Sequence, residues 1–466
     1  MPFAPYDRSN LPPGMDNSAY GRPCGVTSLF DLSASRSFPR TVTRLPDMNL
    51  PASCVFNASG RVSNVPRHLE ACSARFLRGY TGPSSARLFM PSHGALIRDG
   101  EENAIVAESL WHDDLFFSGP FRNDASTDWK WRIDDNWSHS LRYDDLVNHC
   151  YHRFHYQYFH WMMDCLPRVW MLRKHSNHGA AKWLVGPLDQ RFHLPSLELL
   201  GIGADDCLLV PHGSIARFEN LVVPAFMFQE PLETLRPDYN SGIHHIGWSK
   251  DYLDDIRSLA WNKRGAATEP DLRLYVSRRD ATHRQLRNEE DVWRLLKVYG
   301  FVRIEPGTMS FAQQVEVFSR ARVVVGLHGA GMTNVMWARS PAEILEFASE
   351  ELRDTGYRFL SNLCGHNHSL IGCRTFDHPQ GIAYADLEID LAALGHALEH
   401  ILAGEGFALG SVTIAAGAAL DQLHEIDHEP IGSLQSAEVS LARRDYAQAL
   451  RQVLVYCSHN STDGWG

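Results

Sequence analysis

The stretch "RVVVGLHGAGMTNVMWARSPAEILEF" (residues 322–347) decides the fold that the sequence predicts. An apolar run ends at Leu327, and His328 and three small residues follow it. A short helical pattern then leads to a second apolar run that ends near Glu346. Continuous apolar strands joined by helices are typical of a parallel sheet with both faces covered. Because ligands bind such sheets beyond the carboxyl ends of the strands, the stretch predicts a binding site at His328.

The same alternation extends outward from this stretch. Strand patterns at 272–276 and 301–306, and helical patterns such as "NEEDVWRLLKVYG" and "SFAQQVEVFSRA", predict a Rossmann-like nucleotide-binding domain over 270–405. Upstream, short strands with turn signals predict a β-rich beginning to an N-terminal domain over 1–262. Residues 406–466 regain helical spacing and are predicted to form a helical extension.

The composition excludes several classes of protein. The 466 residues carry a net charge of -11, which argues against a nonspecific nucleic-acid binder. The N-terminus has no signal-peptide pattern, and no apolar run reaches the roughly 18 residues that a membrane-spanning helix needs. Nine scattered cysteines without a CxxC pair favour a reducing compartment. We therefore expect a cytoplasmic protein.

The small residues after Leu327 favour a nucleotide ligand. Gly329 and Ala330 let a ligand approach the backbone, and the following helix start would direct its N–H groups at a diphosphate. Glu346 ends the next strand, where an acid can bind ribose hydroxyls. The glycine spacing differs from G-x-G-x-x-G, which disfavours a dinucleotide redox cofactor. The alternative is a plain strand–turn–helix whose glycines relieve crowding.

An arginine cluster follows the strand at 272–276. The segment "VSRRDATHRQLRNEEDV" contains Arg278, Arg279, Arg284 and Arg287 just before a predicted helix. Guanidinium groups pair bidentately with phosphate oxygens, so two of the four are expected to bind a phosphate and the others to be solvated. Asn288 is the predicted N-cap of the helix.

A third motif, "FHWMMDCLPR", suggests a catalytic base. If the segment is helical, His160 and Asp164 are i,i+4 neighbours on one face. Pro167 cannot continue a regular helix, so a kink or a new helix start is expected there. The pair is a candidate general base with its orienting partner, or else a buried structural hydrogen bond.

The ordered set "FHWMMDCLPR", "SRRDATHRQLRNEE", "GTMSFAQQVEVFSRARVVVGLHGAGMTNVMW" and "EILEF" resembles glycosyltransferase family 61, as a bacterial-type member. The resemblance spans roughly residues 150–400. It implies an α/β fold of GT-B type, with two Rossmann-like domains that face a cleft and extra β-rich N-terminal and helical C-terminal segments. It also implies a nucleotide-sugar donor, inversion at the anomeric carbon and independence of metal. We expect the donor to be UDP-linked.

By position, the resemblance assigns residues on both sides of the reaction. The donor side receives Arg278, Arg284, Asn288, His328 and Asn334. The acceptor domain receives His160 and Asp164. The chain contains no Asp-x-Asp triplet of the kind that holds a metal ion in other transferases. The charge of the leaving group must then be met by arginines and a helix N-terminus.

Other interpretations stay open at this point. The chain could be an inactive nucleotide-sugar binding module or a nicotinamide oxidoreductase, and "CGHNHS" offers His366 and His368 as a weak metal motif. Asp113 and Asp114 are the next candidates for the base. The acceptor is expected to be a hydroxyl of a glycan or of a lipid-linked molecule. Peripheral association of the chain at the inner membrane face is an open alternative. The sequence makes no prediction of the oligomeric state.

Overall fold

A computed structural model gives the architecture of the chain. It describes residues 23–27, 41–43, 48–65, 69–70, 72–74, 79–81, 83–89, 96–99, 104–106, 131–132, 139–152, 154–175, 181–209, 214–224, 248–263, 270–339, 341–349, 354–379 and 384–403. Contacts divide the chain into two units. Unit 1 comprises Met1–Ala52, Arg67–Gly265 and Arg353–Cys364, and unit 2 comprises Ser53–Pro66, Ala266–Leu352 and Gly365–Gly466.

The described strands are numbered in chain order. They are β1 (Pro23–Thr27), β2 (Thr41–Thr43), β3 (Met48–Leu50), β4 (Cys54–Asn57), β5 (Gly60–Arg61), β6 (Cys72–Ala74), β7 (Gly79–Thr81), β8 (Pro83–Phe89), β9 (Leu96–Asp99), β10 (Ala104–Val106), β11 (Trp131–Arg132), β12 (His139–His149), β13 (Lys182–Leu184), β14 (Ser214–Val222), β15 (Leu272–Val276), β16 (Val302–Ile304), β17 (Ala321–Leu327), β18 (Glu343–Ser349), β19 (Asn367–Thr375) and β20 (Leu387–Glu388).

The described helices are of three kinds. The α-helices are α1 (Tyr158–His160), α2 (Leu166–His175), α3 (His193–Leu199), α4 (Lys250–Asn262), α5 (Glu289–Val298), α6 (Phe311–Ser319), α7 (Gly356–Leu363) and α8 (Leu391–Leu402). A π-helical turn, Trp161–Cys165, joins α1 to α2. Short 3₁₀ helices cover Ala204–Asp206, Pro306–Thr308 and Ala330–Trp337.

Unit 2 is built on a largely parallel sheet. Its strand order is β16-β15-β17-β18-β19-β4-β5, with β20 beside β19. The strands β16 through β4 run parallel, whereas β5 and β20 are antiparallel additions. Almost every residue of β15, β17 and β18 is buried, as the continuous apolar runs predicted for a sheet covered on both faces.

Unit 1 contains a mixed sheet of order β11-β1-β10-β9-β8-β14-β12-β13. The strands β14, β12 and β13 are parallel neighbours. The hairpin strands β8, β9 and β10 extend this sheet in antiparallel fashion, around the turn signals of the N-terminal sequence. The predicted mixed α/β class is therefore confirmed, while the GT-B arrangement stays a prediction.

Each unit contains one segment that lies far from the rest of that unit in the sequence. The strand β4 pairs in parallel with β19 of unit 2. The helix α7 belongs to unit 1, where Tyr357 packs on Phe159 and the Arg358 guanidinium donates to the backbone carbonyls of Pro51 and Glu70. The domain limits 1–262, 270–405 and 406–466 stay predictions. Neither unit is a continuous stretch of the chain, because residues 53–66 belong to unit 2 and residues 353–364 belong to unit 1. The predicted extension 406–466 lies outside the described residues.

None of the described helices is long and apolar enough to cross a membrane.

Candidate functional site

The carboxyl edge of the unit 2 sheet gathers most of the predicted donor residues. The register Val276↔Gly326 and Gly326↔Glu346 aligns the ends of β15, β17 and β18. The backbone N–H of His328 continues the ladder by donating to the Phe347 carbonyl over 2.8 Å. The segments that leave these strands, Ser277 onward and His328 onward, therefore begin side by side at this edge.

Arg278 and Gly329 fit together at the edge. A Cβ atom on Gly329 would collide with the Arg278 guanidinium, so the glycine leaves the space that this side chain occupies. The guanidinium also donates from Nε to the Arg284 carbonyl over 3.2 Å and from Nη2 to the His283 carbonyl over 3.3 Å. These contacts fix the guanidinium beside the turn that follows β17.

Arg284 is held in a strained conformation. Its φ is 57°, in the left-handed region that costs a non-glycine residue roughly 1 kcal/mol or more. Its backbone N–H donates to the Tyr384 carbonyl over 3.2 Å, and its carbonyl accepts from Arg278. Its Nε is buried and has no hydrogen-bond partner among the described residues. Such strain persists where the surroundings enforce it, often at ligand sites.

The other two arginines of the cluster have surface partners. Arg279 is paired with Glu290 at 3.5 Å, and Arg287 stacks on Phe376 at 3.6 Å. The four arginines thus fall into two groups. Arg278 and Arg284 contact each other, whereas Arg279 and Arg287 each have a separate partner at the surface. The first pair surrounds His283, whose pKa is lowered by burial and then by the two guanidinium charges. Two guanidinium charges therefore act on His283 at this part of the edge.

The prediction that Asn288 is the N-cap residue is confirmed in position. Asn288 occupies the N-cap position of α5, but its side chain makes no capping hydrogen bond. Its amide instead donates to the Ile389 carbonyl over 2.8 Å and accepts from the Ile389 N–H over 3.2 Å. The side-chain nitrogen and oxygen of Asn288 thus both bond to the backbone of Ile389, and they join α5 to the segment before α8.

His328 and Glu346 form the centre of a buried chain of hydrogen bonds. His328 Nδ1 lies 2.5 Å from Glu346 Oε1, and Glu346 Oε2 lies 2.9 Å from His368 Nε2. His368 Nδ1 lies 3.0 Å from the Ser53 hydroxyl. Burial raises the pKa of Glu346, but the hydrogen bonds from the two histidines lower it overall. Glu346 is 2% exposed, so the structure gives it partners other than the ribose hydroxyls predicted for it.

The two histidines of the weak H-x-H metal motif, His366 and His368, contact different partners. His368 lies within this chain, whereas His366 Nε2 lies 3.1 Å from the Val335 carbonyl. The two rings therefore serve different parts of the fold.

Asn334 and the remaining small residues have packing roles. Asn334 donates to the Gln314 side chain over 2.8 Å and joins the 3₁₀ helix Ala330–Trp337 to α6. A Cβ on Gly326 would approach Met332 Sδ to 2.6 Å, and one on Gly331 would approach Val276 to 3.0 Å. Ala330 is the first residue of the 3₁₀ helix. Gly326 and Gly331 thus relieve crowding, which is the role that a plain strand–turn–helix predicts for them. Gly329 instead leaves space for Arg278, a candidate ligand-binding residue.

Two acids at this edge were missed in the sequence. Asp280 follows β15 and Glu305 follows β16. Asp280 is exposed and Glu305 is half-buried. Partial desolvation raises the pKa of each carboxyl, the charge of Asp280 raises the pKa of Glu305 further, and Arg278 lowers the pKa of Asp280. Their positions just after two parallel strands were the available signal. They can accept hydrogen bonds from hydroxyl groups.

In unit 1, the π-helical turn brings together His160 and Asp164. His160 Nδ1 lies 2.7 Å from Asp164 Oδ2, and each side chain is 14% exposed. Pro167 has no N–H to offer the Met162 carbonyl five residues earlier, and the Tyr252 hydroxyl of α4 donates to that carbonyl over 2.6 Å. The predicted break at Pro167 is thus a π turn within one helix, supported from a neighbouring helix.

His152 joins this pair, a contact that the sequence motif did not include. Ligand atoms of His152, His160 and Asp164 lie within 4.8 Å of one another, a group that could hold a metal ion. The backbone N–H of Phe154 donates to His152 Nδ1 over 3.2 Å, so neutral His152 carries its proton on Nε2. A metal-bound imidazole normally donates from its second nitrogen, whereas His152 Nδ1 accepts here. Asp113 and Asp114 lie outside the described residues.

These features define an α/β protein with the guanidinium groups of Arg278 and Arg284 at the edge of a parallel sheet and with a separate His–Asp pair. Residues 158–345 match the family model described as Glycosyltransferase 61. The match includes His160, Asp164, Arg278, Arg284 and His328. It supports a glycosyltransferase, with a nucleotide sugar and an acceptor as substrates. The comparison with curated proteins found no match.

Proposed function

We propose that the chain is an inverting, metal-independent glycosyltransferase that moves a sugar from a UDP-linked donor to a hydroxyl of a glycan or lipid-linked acceptor. The observation that carries the proposal is the carboxyl edge of unit 2, where Arg278 packs on Gly329 beside Arg284 and His328. The GT-B arrangement, bacterial origin and cytoplasmic location with peripheral membrane association belong to the same proposal.

Unit 2 would bind the donor. The guanidinium groups of Arg278 and Arg284 would hold the diphosphate, together with N–H groups at the start of the 3₁₀ helix. Asp280 and Glu305 would accept hydrogen bonds from donor hydroxyls, the role that the sequence assigned to Glu346. Preorganised positive groups at a leaving diphosphate replace the metal ion that other transferases use.

Unit 1 would supply the base. His160 contacts Asp164 through Nδ1, so Nε2 is the atom that would take the proton of the acceptor hydroxyl. The acceptor oxygen then forms a bond to the anomeric carbon from the face opposite the diphosphate. The bond from that carbon to the diphosphate oxygen breaks, and its electron pair leaves with the diphosphate. Asp164 would orient the ring and stabilise the imidazolium.

Two rival functions predict different results. An inactive nucleotide-sugar binding module would bind UDP without turnover, and the His160–Asp164 pair favours an enzyme over that alternative. A nicotinamide oxidoreductase would bind reduced nicotinamide dinucleotide, which the glycine spacing disfavours.

A panel of nucleotide sugars, incubated with the whole chain and chelator, tests the proposal. We expect slow release of nucleoside diphosphate from one UDP-sugar, and its loss in His160→Asn. Binding of UDP without release from any UDP-sugar, even with glycan and lipid-linked acceptors, would favour the inactive module. Release that requires a divalent metal would contradict metal independence.

A further inference from the structure

We propose that Tyr252 and Ser196 are positioning residues that hold the π-helical turn Trp161–Cys165 from two neighbouring helices and so set the geometry of the His160–Asp164 pair. The inference rests on the proposed function, because it concerns the base of the same transfer reaction. Two completely buried side chains, whose hydroxyl groups bond to the turn, thereby gain a role in that reaction.

The turn contains a backbone acceptor that depends on a donor from another helix. The Leu166 N–H donates to the Trp161 carbonyl, five residues earlier, as in a π-helix. The next residue, Pro167, has no N–H for the Met162 carbonyl. Met162 is completely buried, and a buried carbonyl without a donor is costly. The Tyr252 hydroxyl of α4 replaces the missing N–H over 2.6 Å.

A second hydroxyl fixes the residue next to that carbonyl. Trp161 Nε1 donates to the Ser196 hydroxyl of α3 over 2.7 Å, and both side chains are completely buried. The Ser196 hydroxyl lies 2.6 Å from the Phe192 carbonyl and 2.9 Å from the His193 carbonyl, to which it donates. Because its hydrogen is directed at these carbonyls, the oxygen is oriented to accept from the indole. The indole is therefore fixed relative to α3.

The two anchored residues lie between His160 and Asp164 in the sequence. Trp161 is bonded to α3 and Met162 to α4, so two helices hold the backbone that joins the members of the pair. The 2.7 Å contact between His160 Nδ1 and Asp164 Oδ2 depends on how this backbone presents both side chains. Single π turns inside α-helices are frequent at functional sites. Loss of either hydroxyl lets the turn relax and displaces the atom that would take the acceptor proton.

Tyr252→Phe and Ser196→Ala test the inference, because each removes one hydroxyl and keeps the rest of the side chain. We expect each variant to lower kcat about 10- to 100-fold with the donor from the nucleotide-sugar panel, since small displacements of a catalytic group are costly. The dissociation constant of UDP should stay within about twofold of the wild-type value, because the diphosphate would bind unit 2. Calorimetry measures UDP binding, and circular dichroism gives the folded fraction to which turnover is referred.

A double-variant cycle separates positioning from an independent effect. If Tyr252 acts through the pair, Tyr252→Phe combined with Asp164→Asn should turn over little more slowly than Asp164→Asn alone. Losses that multiply fully would show that Tyr252 acts independently of the pair, and they would overturn the inference.

Asp255→Ala is the matched control. Asp255 also joins α4 to α2, where it accepts from Trp170 over 2.9 Å and from Lys174 over 2.7 Å, but these contacts lie outside the π turn. Turnover per folded molecule should stay close to that of the wild type. An equal loss in Asp255→Ala and Tyr252→Phe would overturn the inference, because any loosening of α4 would then be sufficient.

Turnover per folded molecule decides the remaining outcomes. Wild-type turnover in folded Tyr252→Phe and Ser196→Ala would show that the hydroxyl groups only stabilise the fold, and it would overturn the inference. If Tyr252→Phe does not fold, Ser196→Ala decides by the same measurement. A wild-type chain that turns over no UDP-sugar, or full turnover by Asp164→Asn, would overturn the proposed reaction or its base, and the inference with it.

Discussion

At the scale of single residues, Arg278 and Arg284 are expected to recognise phosphate charge. Replacing either by alanine should weaken UDP binding by about 1.5–3 kcal/mol, because each loses a charge-assisted contact. Uridine binding should change little. Arg279→Ala is the control, since Arg279 is exposed and paired with Glu290. Calorimetry with UDP and uridine measures both effects, and equal losses for the two ligands would mean that the arginines support the fold instead.

Gly329 provides a separate test of the same site. Gly329→Ala should displace the Arg278 guanidinium, because the new methyl group would occupy its place. The backbone itself should tolerate alanine, since the φ of Gly329 is 165°, within the extended range. We expect a UDP affinity close to that of Arg278→Ala, with little added loss in the double variant. Full additivity of the two changes would show that they act independently.

At the scale of elements, the π turn determines how the His160–Asp164 pair is presented. Asp164→Asn should lower turnover about 10²–10⁴-fold and leave UDP binding near normal, because the amide cannot stabilise an imidazolium. His160→Asn should behave similarly. Steady-state assays on the donor from the nucleotide-sugar panel measure the loss.

Asp255→Asn controls for the loss of a hydrogen-bonded acid in unit 1. Asp255 accepts from Trp170 and Lys174 and lies outside the π turn, so turnover should be retained. If Asp164→Asn unfolds more easily but turns over normally, the pair is a structural hydrogen bond.

The elements of unit 2 were largely predictable, while their long-range contacts were not. The strands β15, β17 and β18 could be predicted, because each is a run of apolar residues that the local sequence alone shows and that the structure buries. The pairing of β4 with β19 and the contact of Ser53 with His368 join residues more than 300 positions apart, and no local pattern encodes them. The sequence located Pro167 as a break, but it did not show that the Tyr252 hydroxyl from another helix donates to the Met162 carbonyl in the π turn.

At the scale of the whole molecule, buried histidines make stability depend on pH. Burial lowers the pKa of His193 to about 4, and the neutral ring accepts from the Gln190 N–H and lies 3.1 Å from the His155 carbonyl. Between about pH 6.5 and 4 the unfolded chain binds a proton that the folded chain does not. The free energy of unfolding should therefore fall with acidification across this window, by about 3 kcal/mol from His193.

Urea unfolding at several pH values measures this dependence. His193→Gln should flatten the slope between pH 6.5 and 4 and leave the slope above pH 7 unchanged, because only the titration of this ring is removed. A variant whose slope equals that of the wild type would show that His193 is not the group responsible.

The charge of the leaving diphosphate leads to a prediction for the whole chain. UDP should raise the melting temperature in the presence of chelator, because a ligand that binds only the folded state stabilises it. At a hundred times its dissociation constant the stabilisation is about 2.7 kcal/mol, which corresponds to roughly 3 °C when a chain of 466 residues unfolds as one unit. Uridine should produce a much smaller shift, since Arg278 and Arg284 would find no phosphate. Thermal unfolding with and without added divalent metal makes the comparison. A UDP shift that appears only with metal would mean that an ion, and not these guanidinium groups, neutralises the diphosphate.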